Sequence, residues 1–250
     1  MKFLELRQPG YALLSGTGIE IGGFEHPAVL PHAKKIIRCD RLAVDEARQL
    51  FREVDAARLP RVDVRLDIDQ QGLAHFASGS LDFVVCCHVI EHLKNPIKAI
   101  DEIFRVLNVG GRAALAIPDK RFTFDVNRPL TNGKILQDIF VRRISTPAPR
   151  DYFDVVKYNH PDKLSLPAPE LEKYLEFLMQ RREHLNIWDS SLFAEFLRQT
   201  FLLLQISQKV IYEVGAEQNQ FEYFAVIEKT GPRPALFRTL IRRLISPGRN

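Results

Sequence analysis

Gly18-Ile19-Glu20-Ile21-Gly22-Gly23-Phe24-Glu25-His26-Pro27 is the stretch on which the reading of this chain turns. Ile19 and Ile21 alternate with Glu20, and β-branched residues in that pattern suit a buried strand. The run stops at two glycines, where a chain can turn and let a ligand approach its backbone. An acid just before such a turn can accept hydrogen bonds from the ammonium or hydroxyl groups of a ligand. Eighteen residues beyond Gly22, Asp40 closes a second apolar run, Ile36-Ile37-Arg38-Cys39. That spacing suits an acid at the tip of the second strand of a nucleotide-binding α/β unit, able to hold both ribose hydroxyls. An ordinary loop would explain the glycine pair alone, so the later strands decide.

Those strands continue the pattern. Residues 1–16 read as a strand or turn leading in, and Pro27 and Pro31 leave room for only a short first helix. Val44, Ala47, Leu50, Phe51 and Val54 have helical spacing within 42–58, and Pro60 ends that segment. Val62–Leu66 is a third expected strand, ending at Asp67. Leu81–Cys87 is a fourth, apolar almost throughout, as in a parallel sheet buried on both faces. Asn95 caps a helix with Pro96 in its first position and Ile97, Ile100, Phe104 and Leu107 on one face. Gly110-Gly111 is expected to stop it, and Ala113–Ile117 to form a fifth strand. A helical run opens at Pro169-Glu170, another spans Ser190–Thr200, and Leu202–Tyr212 with Gln220–Glu228 read as an antiparallel pair. The expected fold is therefore α/β, a doubly wound and mostly parallel sheet.

Composition narrows the function class. Hydrophobic residues make up 46% of the 250 and charged residues 26%, which suits a globular chain with an ample core. No apolar run reaches the roughly 20 residues of a membrane span, and Met1–Arg7 is broken by charge too early for a signal peptide. Three cysteines, two of them the neighbours Cys86 and Cys87, make no disulfide framework. The expected compartment is the cytoplasm. Of the 35 basic residues, six fall between Lys229 and Asn250, which contains none of the 31 acidic ones. The net charge of +4 thus belongs to the tail, and no nucleic-acid partner is expected.

Taken together, Ile19–Gly23, Asp40, Asp67, Ser80–Leu93 and Arg105–Arg112 resemble class I S-adenosylmethionine-dependent methyltransferases of the type 11-like kind, over roughly Thr17 to Thr230. The resemblance implies a Rossmann-like, mostly parallel seven-stranded sheet with an inserted helical cap, and S-adenosylmethionine as cofactor. It implies that Glu20, Gly22 and Gly23 face the methionine end, Asp40 with Arg41 the ribose, Asp67 and Ile68 the adenine, and Cys87 and His88 the methionine part again. The expected division is 1–118 as the cofactor-binding half, 119–184 as the cap, 185–230 completing the sheet and 231–250 as a basic tail.

The chain also departs from the family. Phe24 and His26 stand where the usual loop has its second and third glycines, which motivates an alternative reading as a catalytically silent cofactor-binding or scaffold relative in a surface-glycan complex. Members associated with polysaccharide and glycan biosynthesis carry segments similar to Pro118–Asp125 and Arg128–Thr131, so the expected acceptor is a small-molecule or glycan-type hydroxyl of a sugar or glycan precursor, neutral or anionic. Lys120, Arg121, Arg128, Arg142 and Arg143, interleaved with Phe122, Phe124, Tyr152 and Tyr158, are candidates to grip it.

His88-Val89-Ile90-Glu91-His92 admits competing chemistry. The run looks like an inverted zinc-protease motif, but it follows a buried strand and is cut short by Asn95-Pro96. Other methyltransferases bind a divalent ion with a Glu-x-x-Glu-His run; His88 replaces its first glutamate, so no metal is expected. A nicotinamide dehydrogenase would need a third glycine. Methyl transfer needs an aligned nucleophile and often a base, for which His92 and His184 are the candidates, with His160 a weaker one. Last, 235–245 has helical apolar periodicity opposite Arg238 and Arg242, suiting either docking on protein or peripheral contact with the inner membrane surface.

Overall fold

The computed structural model describes residues 1–232. The expected amphipathic helix at 235–245, with its membrane or docking role, lies outside the described residues. Seven strands form one sheet, in the order β3-β2-β1-β4-β5-β7-β6. They are β1 (Ser15–Ile21), β2 (His32–Asp40), β3 (Val64–Arg65), β4 (Leu81–Cys87), β5 (Leu107–Pro118), β6 (Gln208–Val214) and β7 (Glu222–Lys229). The first five pair in parallel, while β7 runs antiparallel to both β5 and β6. The strand order reverses between β1 and β4, where open α/β sheets bind ligands beyond the carboxyl ends.

Eight helices accompany the sheet among the described residues: α1 (Lys2–Tyr11), α2 (Val44–Leu50), α3 (Pro96–Val106), α4 (Gly133–Val141), α5 (Phe153–Asn159), α6 (Ala168–Arg181), α7 (Ser190–Leu204) and α8 (Ala216–Asn219). Alternation on the strands divides the core in two. Ile19, Ile21, Val84 and Leu115 face α3 and α7, whereas Phe83, Val85, Ala114 and Phe224 face Tyr11 and Leu14. The Asn95 carboxamide accepts from the Lys98 N–H at 3.0 Å and caps α3, whose Ile97, Ile100, Ile103 and Phe104 are fully buried. Asp189 caps α7 in the same way, and Trp188 just before it packs on Phe193 and Phe196. Between β5 and α7, Tyr152, Val155, Val156, Leu175 and Leu178 make a small core of their own. Among the described residues no helix is long and apolar enough to cross a membrane.

Several sequence expectations are corrected. Residues 2–11 form a helix, α1, rather than a strand or turn. Its hold is tertiary: Arg7 pairs with Glu222, Tyr11 meets the Phe224 ring edge-on at 5.5 Å, and the Tyr212 hydroxyl donates to the Leu6 carbonyl at 2.7 Å. The helix expected across 42–58 ends at Leu50, because Phe51 leaves the helical path to pack against Phe24 and under the Arg181 guanidinium. The third strand shrinks to Val64–Arg65 at the sheet edge, where it pairs on one side only. Gly110-Gly111 does not stop α3; the strand is already under way at Leu107, and the glycines form the irregularity at which its register with β4 shifts. Leu202–Leu204 belong to α7, not to a strand, and β6 starts only at Gln208, after Gln205 takes a left-handed cap with φ 49°.

Candidate functional site

A cavity of about 650 Å³ opens over the carboxyl ends of β1, β2 and β4, within the size range of small-molecule and cofactor sites. Glu20, Gly22, Gly23, Asp40, Arg41, Asp67, Ile68, Cys87 and His88 all line it, and so does His92. His184 does not; it lies behind His92, with ring centroids 4.7 Å apart. The strands explain this convergence, since each of β1, β2 and β4 delivers its last residues to the same end of a parallel sheet.

Gly22 takes φ +66°, a conformation that costs an L residue its Cβ contacts, and a Cβ there would lie 2.5 Å from the Val89 side chain. Gly22→Ala is therefore expected to destabilise the fold by about 1–2 kcal/mol and to weaken ligand binding in the cavity. Chemical denaturation checks the first, and a Gly22→Ala protein as stable as the parent would refute it. Where the usual loop has its second glycine, Phe24 adopts φ 34° and is pinned edge-on to Phe51 at 5.2 Å. His26 closes a turn back to the Gly23 carbonyl. Glu20 is buried beneath this loop and accepts from the Ala28 N–H at 2.5 Å. Burial raises its pKa, an effect opposed by that N–H and by Arg38. Glu20 thus braces the loop from below.

At the β2 tip, Asp40 is half-buried and accepts from the Leu42 N–H at 3.0 Å. Burial raises its pKa as well. Asp67 follows β3; its Oδ1 accepts from the Asp69 and Gln70 N–H groups, and its Oδ2 receives Arg182 at 2.7 Å. Arg41 donates to the Gln180 carbonyl at 2.8 Å, and Arg181 sits 4.5 Å over the Phe51 ring. Consequently the end of α6 roofs the β2–β3 side of the cavity.

The β4 side is polar and buried. His88, at φ 55°, stacks on Phe221 and bonds Glu222 at 2.6 Å through Nε2. Burial works to lower its pKa, but the bond to Glu222 and the nearby Glu91 carboxylate prevail and raise it to about 9, so at neutral pH His88 is a cation and a donor. His92 behaves oppositely: burial lowers its pKa to about 4 despite the Glu91 carboxylate. Its Nδ1 donates to the Arg182 carbonyl at 2.5 Å, because a carbonyl can only accept. Cys87 lies 3.7 Å from the Tyr11 hydroxyl, and burial pushes its thiol up to about 11, well away from a reactive thiolate.

Three of the six left-handed non-glycine residues among those described, Phe24, His88 and Arg182, line this one cavity. Such conformations are retained where surrounding packing over-determines them, and they cluster at functional sites. Much of the remaining wall comes from residues the sequence reading missed, among them Met1, Phe3, Arg7 and Tyr11 of the α1 segment, Phe221 before β7, and Arg181-Arg182 at the end of α6. Only the Arg181-Arg182 pair at the end of a helical run carried any local signal.

The candidate substrate grip is dispersed. Lys120, Arg121, Arg128, Phe122, Phe124, Tyr152 and Tyr158 do not line the cavity. Arg121 pairs with Asp119 and Glu217, Arg128 is buried against Asp125, the Lys120 ammonium donates to the Arg128 carbonyl, and Arg142 pairs with Asp138. These charges are engaged in pairs within 119–142 and with Glu217.

Comparison with known proteins bears on the same region. Residues 22–115, somewhat over a third of the chain, match the family model of a methyltransferase domain. No curated protein matches in sequence. Among solved structures, one described as a putative Zn-dependent alcohol dehydrogenase from Rhodobacter sphaeroides aligns with TM-score 0.51 at 13% identity, covering 86% of this chain and 84% of that one. A putative S-adenosyl-L-methionine-dependent methyltransferase from Methanococcus maripaludis aligns with TM-score 0.44 at 17% identity, covering 92% of each chain. The CurJ carbon methyltransferase aligns with TM-score 0.44 at 14% identity; 88% of this chain is covered, but only 50% of that one. At such identities the structural likeness speaks to the fold alone. Residues 22–115, on the part of the sheet that runs from the β1 turn into β5, thus match a methyltransferase domain, a class of domain whose cofactor is S-adenosylmethionine.

Proposed function

We propose that the enzyme transfers a methyl group from S-adenosylmethionine to a hydroxyl of a small, neutral acceptor, a sugar or glycan precursor. The observation that carries this reading is the single cavity that gathers the β1 glycine turn, the β2 acid and the β4 end on one side of the strand-order reversal. In it, Asp40 would hold the ribose hydroxyls, Leu66 and Ile68 the adenine face, and the Gly22-Gly23 backbone the methionine end. Asp67 would accept from the adenine amino group while sharing its Oδ2 with Arg182. When bound, S-adenosylmethionine supplies a methyl group activated by a sulfonium.

The α1 side would receive the acceptor. Phe3 and Phe221 offer aromatic faces there, beside His26 and Tyr11. A neutral acceptor is favoured because the basic side chains on the wall are already engaged: Arg7 by Glu222, Arg41 by the Gln180 carbonyl, Arg181 by Glu53 and Glu183, and Arg182 by Asp67 and Asp69. His88, cationic at neutral pH, cannot act as base. We assign the acceptor's proton to the group formed by His92, Glu91 and His184.

The test is release of S-adenosylhomocysteine from S-adenosylmethionine in the presence of a panel of neutral sugars, glycosides and nucleotide sugars, with mass spectrometry of the product. Turnover with an O-methylated product is expected. Turnover confined to amine or carboxylate acceptors would sink the acceptor class, and failure to bind S-adenosylmethionine by calorimetry would sink the whole reading.

A further inference from the structure

Beneath the cavity wall, one ligand-type atom each from Glu91, His92 and His184 lies within 4.8 Å of the others. Glu91 and His92 belong to the short turn after β4. His184 arrives from the strap after α6, which is tied down where the Leu185 and Asn186 N–H groups both donate to the Glu91 carbonyl, at 2.8 and 2.9 Å.

The protons of the two imidazoles are set by their outer partners. His92 Nδ1 donates to the Arg182 carbonyl, and His184 Nδ1 bonds the Asp125 carboxylate at 2.6 Å. In the neutral rings that leaves both Nε2 atoms with a lone pair. A carbonyl or carboxylate on the far nitrogen is the arrangement that orients metal-bound histidines. Asp125 is itself held by Arg128 at 2.9 Å.

Glu91 supplies the second, independent observation. It is 1% exposed, yet neither carboxylate oxygen has a hydrogen bond. Its nearest positive neighbour is His88, whose Nδ1 is 3.4 Å away, and His92 Nε2 is 3.8 Å away. The His88 charge offsets part of the cost of burying this carboxylate, but its oxygens still lack bonded partners, which a bound cation would supply.

We propose that Glu91, His92 and His184 form a binding site for a divalent transition-metal ion, with Zn²⁺ the ion that two imidazoles and one carboxylate fit best. Bonds of about 2.0–2.2 Å in a tetrahedron would draw the ligand atoms to roughly 3.3–3.6 Å apart, so the site contracts on loading by small side-chain rotations. The sequence reading expects no metal because His88 stands where a carboxylate ligand would be; the fold instead brings His184 to Glu91 and His92 from a strap more than ninety residues away. His92 also lines the cavity, so an ion on its Nε2 stands beside the acceptor side. With the ion bound these three groups no longer take the acceptor's proton; the ion would instead bind and acidify the hydroxyl, whose proton would pass to solvent. That role rests on the methyl-transfer reading above, whereas the binding itself does not.

The test uses the full chain without a polyhistidine tag, stripped with a chelator and titrated with Zn²⁺ by calorimetry and with Co²⁺ by visible absorption. One site per chain is expected, with the absorption of nitrogen-ligated Co²⁺. His184→Ala and Glu91→Gln should each weaken Zn²⁺ binding about 100-fold or more, and Asp125→Asn, which touches no ion, about 10–100-fold. Circular dichroism checks that each variant is folded; if Glu91→Gln unfolds, His184→Ala and Asp125→Asn still decide. Absence of stoichiometric binding by the parent, or unchanged affinity in folded His184→Ala, overturns the site. A parent that binds S-adenosylmethionine but no Zn²⁺ removes this inference alone. A parent that binds Zn²⁺ but no S-adenosylmethionine upholds it and removes the methyl-transfer reading instead.

Discussion

Replacing Glu222 by glutamine is expected to cost the fold about 3–5 kcal/mol, the usual penalty for leaving a buried charge without its partner. Glu222 is fully buried and accepts from Arg7 twice, Nε to Oε1 at 2.7 Å and Nη2 to Oε2 at 2.5 Å, and from His88 Nε2 at 2.6 Å. Glutamine keeps the shape but removes the charge, and it presents an N–H₂ group toward donors. Arg7 is almost as buried and cannot shed its proton, so it would be left a charge with the Tyr11 hydroxyl and the Phe3 and Phe224 rings beside it but no carboxylate partner. For a chain of this size the melting temperature should fall by roughly 6–20 °C. Removing the arginine too, as Arg7→Met with Glu222→Gln, should recover part of the loss because no unpaired charge remains. Calorimetry that finds Glu222→Gln within about 2 °C of the parent would mean water reaches this pair, contrary to its burial.

Asp40→Ala should weaken S-adenosylmethionine binding by about 1–3 kcal/mol, or roughly 5–150-fold, while leaving stability nearly unchanged. The expected size follows from a carboxylate accepting two ribose hydroxyls in a partly enclosed site. Stability should survive because, among the described residues, the Asp40 side chain makes one short-range bond to the Leu42 N–H and no ion pair. Asp40→Asn, which keeps an acceptor but not the charge, should fall between the two. Isothermal titration of the three proteins reads this directly; equal affinities would take Asp40 out of the ribose site.

These two residues mark different halves of one construction. Asp40 is at the surface of the cavity, where a ligand would complete its hydrogen bonds. Glu222 is underneath, joining α1, β7 and the end of β4 through Arg7 and His88. The cavity wall formed by Phe3, Arg7 and Tyr11 therefore exists only while that buried network does. Destabilising it should loosen the acceptor side first.

The parallel core of the fold was legible in the sequence. Ile19–Ile21 and Leu81–Cys87 carry their burial in local pattern, since a strand covered on both faces must be apolar nearly throughout, and Ile36–Cys39 is a half-buried version of it nearer the sheet edge. The glycine turn and the acids at the strand ends were legible for a related reason. A parallel sheet sends every such tip to the same edge, so order along the chain already brings Gly22, Asp40, Asp67 and His88 to one cavity. What tertiary structure alone decided were the parts whose form depends on distant partners. Helix α1 has weak amphipathic character of its own and is held by Glu222, Phe224 and Tyr212, all more than two hundred residues away. Phe51 leaves its helix for Phe24 and Arg181, and Arg128 serves Asp125 instead of a ligand. His184 gained its place beside His92 and Glu91 only because Leu185 and Asn186 bind back to the turn after β4. Periodicity and spacing report what a residue does with its neighbours in sequence. A buried ion pair or a three-residue cluster depends on which distant segments meet, and that is set by the packed fold.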